Sequence, residues 1–402
     1  MNILTKGAIA IYKLTKNIIH SLQSMIQRSD KELIQKNLVY EKAKIPDDMQ
    51  KQINKICKKY SYSPNILESI YYLIRDCCYC MLVIFITLML KDYVNSIVLF
   101  FGYSIVMGTV TTGLWVLGHE CGHGAFGRNT LENDFFGFIL HSFLLVPYFS
   151  WKYSHNKHHK YTNHLILGET HVPLIKNEAR LLKKVYNIIG EDAFSIFNII
   201  IHVFFGWPAY LINNETGGRV RYDLKTRIDK NKFKDHFHSN SQVMLKSLGW
   251  KVEISTIGCS GTLYGLYYFL GWDSFFWYFG PYIITNAWLV LYTWLQHTHP
   301  DVPHYGEDTF TFLRGALSTI DRPYPALIDH LHHHIGTTHV AHHIKYSVPH
   351  YRAQAFTKEL KIVLKNYYNY DSTSIITALV YTSKTCHYVD GLKGVQKYKC
   401  FN

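Results

Sequence analysis

Long runs without a charged residue constrain this chain more than any other feature. Residues 77–90, 93–118, 135–151, 193–214, 254–272 and 274–300 contain no Asp, Glu, Lys or Arg. Backbone polar groups find no partner in lipid, so an apolar run of about 20 residues crosses it as a helix. Extending the first run back over Arg75 and Asp76 to Ser69 makes it long enough to span, and 93–118 spans easily. The run 135–151 is short for a crossing. Lys91-Asp92 and Asp273 sit at tight connections, which pairs 69–90 with 93–118 and 254–272 with 274–300. The expected fold is an all-α integral membrane protein: about four transmembrane helices in two hairpins, with interfacial helices between them.

Charge orients the hairpins. Lys and Arg number 42 against 29 Asp and Glu, a net charge of +13, yet only 18% of residues are charged. An aromatic content of 15% excludes a disordered, tail-like chain. The basic residues form no nucleic-acid-binding pattern and lie between the apolar runs, so no nucleic-acid partner is expected. Arg219, Arg221, Lys225, Arg227, Lys230, Lys232, Lys234 and Lys246 share one loop, whereas the hairpin tips are almost free of cations. The positive-inside rule puts that loop in the cytosol. Parity then makes 135–151 and 193–214 interfacial or re-entrant, and it leaves the Asn214-Glu215-Thr216 sequon unused.

Two smaller features complete the layout. The eight cysteines form no disulfide framework; Cys77 and Cys80 are spaced C-x-x-C but lie in an apolar run with no second pair. They read as packing residues in a reducing compartment. Residues 1–44 carry Lys6, Lys13, Lys16 and Arg28 with no acid before Asp30, and apolar Ile9, Tyr12, Ile19 and Leu22. The pattern predicts a basic amphipathic helix on the membrane surface; a transit peptide, its rival, would be richer in arginine. Residues 45–402 read as a single membrane domain.

Histidine carries the chemistry. The chain has 24, in three clusters that matter: His119-Glu120-Cys121-Gly122-His123, His155-Asn156-Lys157-His158-His159 and His339-Val340-Ala341-His342-His343. Residues three and four apart share a helix face, so each cluster can present two or three imidazoles together. By composition alone H-x-x-H-H is expected about 0.09 times per chain, yet it occurs three times, once within the run His330, His332, His333, His334. Imidazole suits iron, copper, zinc and nickel. Eight such ligands exceed the roughly four to six that one ion takes, which points to two ions in a histidine-rich cap.

The order and spacing of these clusters resemble the membrane-bound fatty-acid desaturase family, and within it the acyl-lipid Δ12 (ω-6) and Δ15 (ω-3) branch. Leu140-His141-Ser142, the stretch from Pro147 to His155, Leu295-Gln296-His297-Thr298-His299-Pro300, the stretch from Arg314 to Arg322, and Pro349-His350-Tyr351 support it. The resemblance covers residues from about Ile45 to the C-terminus. It implies a non-haem di-iron oxidoreductase that uses O₂ to remove two hydrogens from a lipid-linked acyl chain. His119, His123, His155, His158, His159, His339, His342 and His343 would be catalytic iron ligands. A ninth would come from the end of the last span, His297 first and His299 second; position supports His297, which ends a span beside the clusters. His333 would orient a ligand.

Further expectations follow from the same resemblance. The reaction is Δ12 desaturation of oleate to linoleate, with a Δ15 desaturase, a hydroxylase or an epoxygenase as alternatives. Asn156-Lys157 departs from the branch's usual pattern, and Gly124 suits the ω-3 enzymes as readily. No H-P-G-G segment occurs, and the G-x-G-x-x-G match from Gly122 to Gly127 overlaps the first histidine cluster. No fused donor domain is therefore expected, and electrons would come from a separate cytochrome b5 in the endoplasmic reticulum, or from ferredoxin in a plastid. The protein would be multi-pass in the endoplasmic reticulum with its histidines facing the cytosol. Gly108, Gly113 and Gly118 read as helix-packing positions. From a different class, His119-Glu120-x-x-His123 also matches the zinc-protease signature, which would leave the other two clusters unemployed.

Overall fold

The computed structural model describes residues 45–401. The expected N-terminal amphipathic helix lies outside the described residues. Two long helices, Ile66–Leu90 and Ser96–Gly122, are joined by a tight turn. Asn65 Oδ1 accepts from Leu67 N at 3.1 Å and Asn95 Oδ1 from Ile97 N at 3.0 Å, so an asparagine caps each start. Ile66–Leu90 is inside-out by soluble standards. Its buried residues are Ser69, Asp76 and Thr87, while Ile74, Met81, Phe85 and Met89 are exposed. Such a helix suits lipid outside and polar partners inside.

The Ser96–Gly122 helix changes character along its length. Ile97, Val98, Phe101 and Ile105 face outward, but from Met107 to the first histidine cluster almost every residue is buried. The Gly280–His297 helix packs along it more extensively than any other element. Gly108 permits the approach: a Cβ there would stand 2.5 Å from Ile284 Cβ and 2.6 Å from the Pro281 carbonyl oxygen.

The remaining runs differ in part from the sequence expectation. Among the described residues three helices are long and apolar enough to cross a membrane: Ile66–Leu90, Ser96–Gly122 and Glu191–Asn213. The last was expected to be interfacial or re-entrant; its length and composition also suit a crossing. The expected spans 254–272 and 274–300 fold as Gly249–Leu270 and Gly280–His297, separated by a 3₁₀ turn and a π-helical turn. Their Tyr, Trp, Thr and Gly content lowers their hydropathy. They also pack apart, Gly249–Leu270 against Thr130–Phe143 and Tyr148–Lys160, and Gly280–His297 against Ser96–Gly122. Thr130–Phe143 turns back by 106° into Tyr148–Lys160, through Leu145 at φ 55° and Pro147.

The C-terminal part caps one end of these helices. Asp47–Lys59, His339–Ile344 and His350–Leu364 share a core of Ile53, Val340, Phe356 and Leu360. A short antiparallel pairing of His304–Tyr305 with Val395–Gln396 ties down the chain end. Buried Arg322 Nε donates to the Leu295 carbonyl at 3.1 Å, and Asp321 Oδ1 accepts from Val340 N at 2.8 Å. These neighbours clamp the third histidine cluster to the end of the Gly280–His297 helix.

Candidate metal centre

All three clusters meet at one place. The helix Ser96–Gly122 ends on the first, Tyr148–Lys160 carries the second, and the short, wholly buried helix His339–Ile344 carries the third. One nitrogen from each of His119, His123, His155, His159 and His342 lies within 4.8 Å of the others, and His158, His297 and His343 form a second such group. His339 joins the second group, its Nε2 2.9 Å from His297 Nε2. Nine imidazoles are thus divided five and four.

The division does not follow the clusters. His155 and His159 join one group while His158 joins the other; His342 and His343 also separate. Positions i, i+3 and i+4 share a helix face, but the face is wide enough to address two centres. Each later cluster therefore bridges both.

The spacings suit ligands of a shared ion. His119 and His123 Nε2 are 3.1 Å apart, His123 and His155 Nε2 3.0 Å, and His155 and His159 Nε2 3.1 Å. The single proton that His155 Nε2 can carry does not serve both neighbours. Two nitrogens each about 2.1 Å from one ion, at right angles, would stand about 3.0 Å apart. The Nε2 atoms of His342 and His343 are buried with no hydrogen-bond partner among the described residues. Burial, and then the neighbouring imidazoles, hold His339, His342 and His343 well below the usual histidine range. Neutral imidazole is the form that binds a metal.

Neighbours set the ring orientations. His158 Nδ1 donates to the Glu169 carbonyl at 2.7 Å, which leaves Nε2 with its lone pair. Thr162 Oγ1 gives its proton to the His158 carbonyl at 2.8 Å and so can accept from His343 Nδ1 at 3.0 Å. Trp151 stacks on His155 with ring centroids 4.6 Å apart.

Glu169 and Thr162 were not anticipated from sequence. Glu169 is buried: its carboxylate meets Lys157 Nζ at 3.0 Å, the Gly218 N–H at 3.1 Å and the Tyr210 hydroxyl at 3.3 Å. Burial opposes its ionisation, but Lys157 and the Gly218 N–H outweigh that and hold the carboxyl below its usual range. Lys157, the unusual residue of the second cluster, therefore has a buried partner. A signal existed: Glu169 is the only acid between Asp134 and Glu178.

One expectation needs revision. His333 reaches no cluster histidine; its Nε2 is 2.7 Å from Asp76 Oδ2 and its ring lies 4.4 Å from His350. Of the two residues considered for a ninth ligand, His297 lies in the second group, while His299 stays outside both, with Nδ1 accepting from Asp301 N at 3.1 Å.

A helical protein with membrane-length apolar helices and a histidine-only centre of two adjoining groups is a narrow class. The family model for fatty acid desaturases matches residues 95–374. The chain belongs to the fatty acid desaturase family. It is 40% identical over 292 residues to a Delta(12) fatty acid desaturase of Calendula officinalis, covering 72% of this chain and 73% of that protein. An omega-6 fatty acid desaturase, endoplasmic reticulum, of Brassica juncea is 39% identical over 293 residues, with 72% and 73% covered. An oleoyl-12-hydroxylase of Ricinus communis is 35% identical over 354 residues, with 86% and 87% covered. Family membership sets aside the zinc-protease reading of His119-Glu120-x-x-His123.

Proposed function

We propose that this protein inserts a Δ12 cis double bond into a lipid-linked oleoyl chain, giving linoleate. The observation that carries the reading is the convergence of nine imidazoles in two adjoining groups. His119, His123, His155, His159 and His342 would hold one iron, and His158, His297, His339 and His343 the other. The bound pair supplies the O₂-dependent oxidation that removes two hydrogens from adjacent methylenes. The balance is one –CH₂–CH₂–, one O₂, two electrons and two protons, giving –CH=CH– and two waters. The chain's own residues orient the imidazoles through Glu169 and Thr162, exclude water, and place the acyl chain.

An apolar cavity of about 300 Å³ supports the substrate class; it lies along the Ser96–Gly122 helix and is lined by Tyr103, Met107, Leu114, Trp277, Tyr278 and Thr285. Leu114 stands five residues before His119, so the cavity leads toward the histidines. Cys77 and Cys80 also line it, which fits packing rather than zinc. Met107→Trp is expected to lower conversion of oleate by about tenfold without loss of metal, because the indole fills space meant for acyl carbons. Fatty-acid profiles beside metal content measure this; an unchanged profile would place the acyl path elsewhere.

The cation-rich 214–251 loop lies on the histidine side, and it orients that side to the cytosol. The Brassica relative's location supports the endoplasmic reticulum. Electrons come from an external acidic carrier, cytochrome b5 in that membrane. Expression in a yeast that makes oleate but no polyunsaturated acids tests the reaction. Linoleate is expected; hydroxy or epoxy acids would move the protein to the branch of the Ricinus relative, and α-linolenate made only from supplied linoleate would make it a Δ15 enzyme.

A further inference from the structure

A cleft of about 670 Å³ opens in the loop that follows the Glu191–Asn213 helix and shares no lining residue with the apolar cavity. Five cations line it, Arg221, Lys230, Lys232, Lys234 and Lys246, against the single acid Asp235. That acid is engaged in its own turn: its Oδ1 accepts from Phe237 N at 2.7 Å and from His238 N at 2.9 Å. No ion pair involves the four lysines among the described residues, and Arg221 Nε is buried without a hydrogen-bond partner. Cations that form no ion pair and line a concave space call for an anion.

Position identifies the anion's source. Ile212 and Asn213, at the end of one apolar helix, form one wall, and Lys246 stands just before another, Gly249–Leu270. Exposed Ile212 and Phe233 line the cleft, and exposed Trp250 follows Lys246 by four residues. Cations beside apolar and aromatic side chains at the ends of membrane helices match the boundary where headgroups lie. The volume suits one small ligand, whereas a docked protein needs a broad surface.

We propose that this cleft binds the phosphate-bearing headgroup of an anionic phospholipid. The segment that forms it is also tied to the histidine centre, through the Gly218 N–H to Glu169 at 3.1 Å and Lys157 Nζ to the Val220 carbonyl at 3.5 Å. An occupied cleft steadies the support of His158. The proposal rests on the membrane placement of these helices and not on the reaction.

The test uses the full-length protein in phosphatidylcholine nanodiscs with and without phosphatidylserine, and native mass spectrometry reads the lipid retained on extraction. The wild type is expected to keep one phosphatidylserine in preference to phosphatidylcholine. The combined Lys230→Glu, Lys232→Glu and Lys246→Glu variant should retain it about tenfold less or worse, whereas Lys51→Glu with Lys55→Glu, on exposed positions elsewhere, should change nothing. Equal retention of the two lipids by the wild type overturns the proposal, as does undiminished retention by the triple variant. Normal lipid retention in a triple variant that no longer accepts electrons from an acidic carrier also overturns it, and makes the cleft a protein dock. Retention is read without turnover, so a failed desaturase assignment leaves this result unaffected.

Discussion

His158→Ala or His342→Ala is expected to abolish linoleate formation, a fall of at least about 100-fold, since even partners one step removed from a metal cost 10–100-fold when lost. The two substitutions act on different groups. His342 lies with His119, His123, His155 and His159, and His158 with His297 and His343. Each should therefore lower the metal content toward one ion per chain while the other group keeps its own. Both side chains are buried, with no solvent-facing role to lose. His299→Ala is the matched control, because that ring stands outside both groups. Full activity in either cluster variant would remove that residue from the ligand set.

The second large effect concerns a residue that touches no metal. Glu169→Ala strands the Lys157 ammonium in a buried site, and breaking such a pair costs about 3–5 kcal/mol. The loss also frees the backbone whose carbonyl holds His158 Nδ1 at 2.7 Å. The expected variant is less stable and poor in metal, with linoleate formation largely lost. Removing both charges, as Lys157→Met with Glu169→Leu, should recover much of the stability, because an apolar pair leaves no charge unpaired. Thermal unfolding in detergent beside metal analysis reads both. A double variant no better than Glu169→Ala would show that the Tyr210 and Gly218 contacts, rather than the ion pair, support His158.

Sequence made the candidate ligands plain because metal chemistry leaves a dense signature. Histidines at i+3 and i+4 recur far beyond chance, and His297 ends an apolar run beside them. The uncharged runs likewise announced the helices and the first tight hairpin. The partition of the imidazoles was not legible, since His155, His158 and His159 share a helix face and only packing against His342 and His343 separates them. Glu169 stayed hidden because one acid in a loop has no periodicity to mark it. Helix count resisted for a related reason: Gly280–His297 bonds Ser96–Gly122 through Thr285 and Trp288 and the 332–335 segment through Tyr292 and Gln296, so its composition records protein contact rather than lipid contact. His333 misled by mere proximity to the third cluster, whereas its partner Asp76 is 257 residues away in sequence.

The most direct measurement is the metal content of the full-length protein purified from a host grown with iron and zinc. Nine histidines in two groups predict two irons per chain, falling toward one in His158→Ala and in His342→Ala. One zinc per chain with no iron, unchanged when His158 is replaced, would contradict a two-iron desaturase centre.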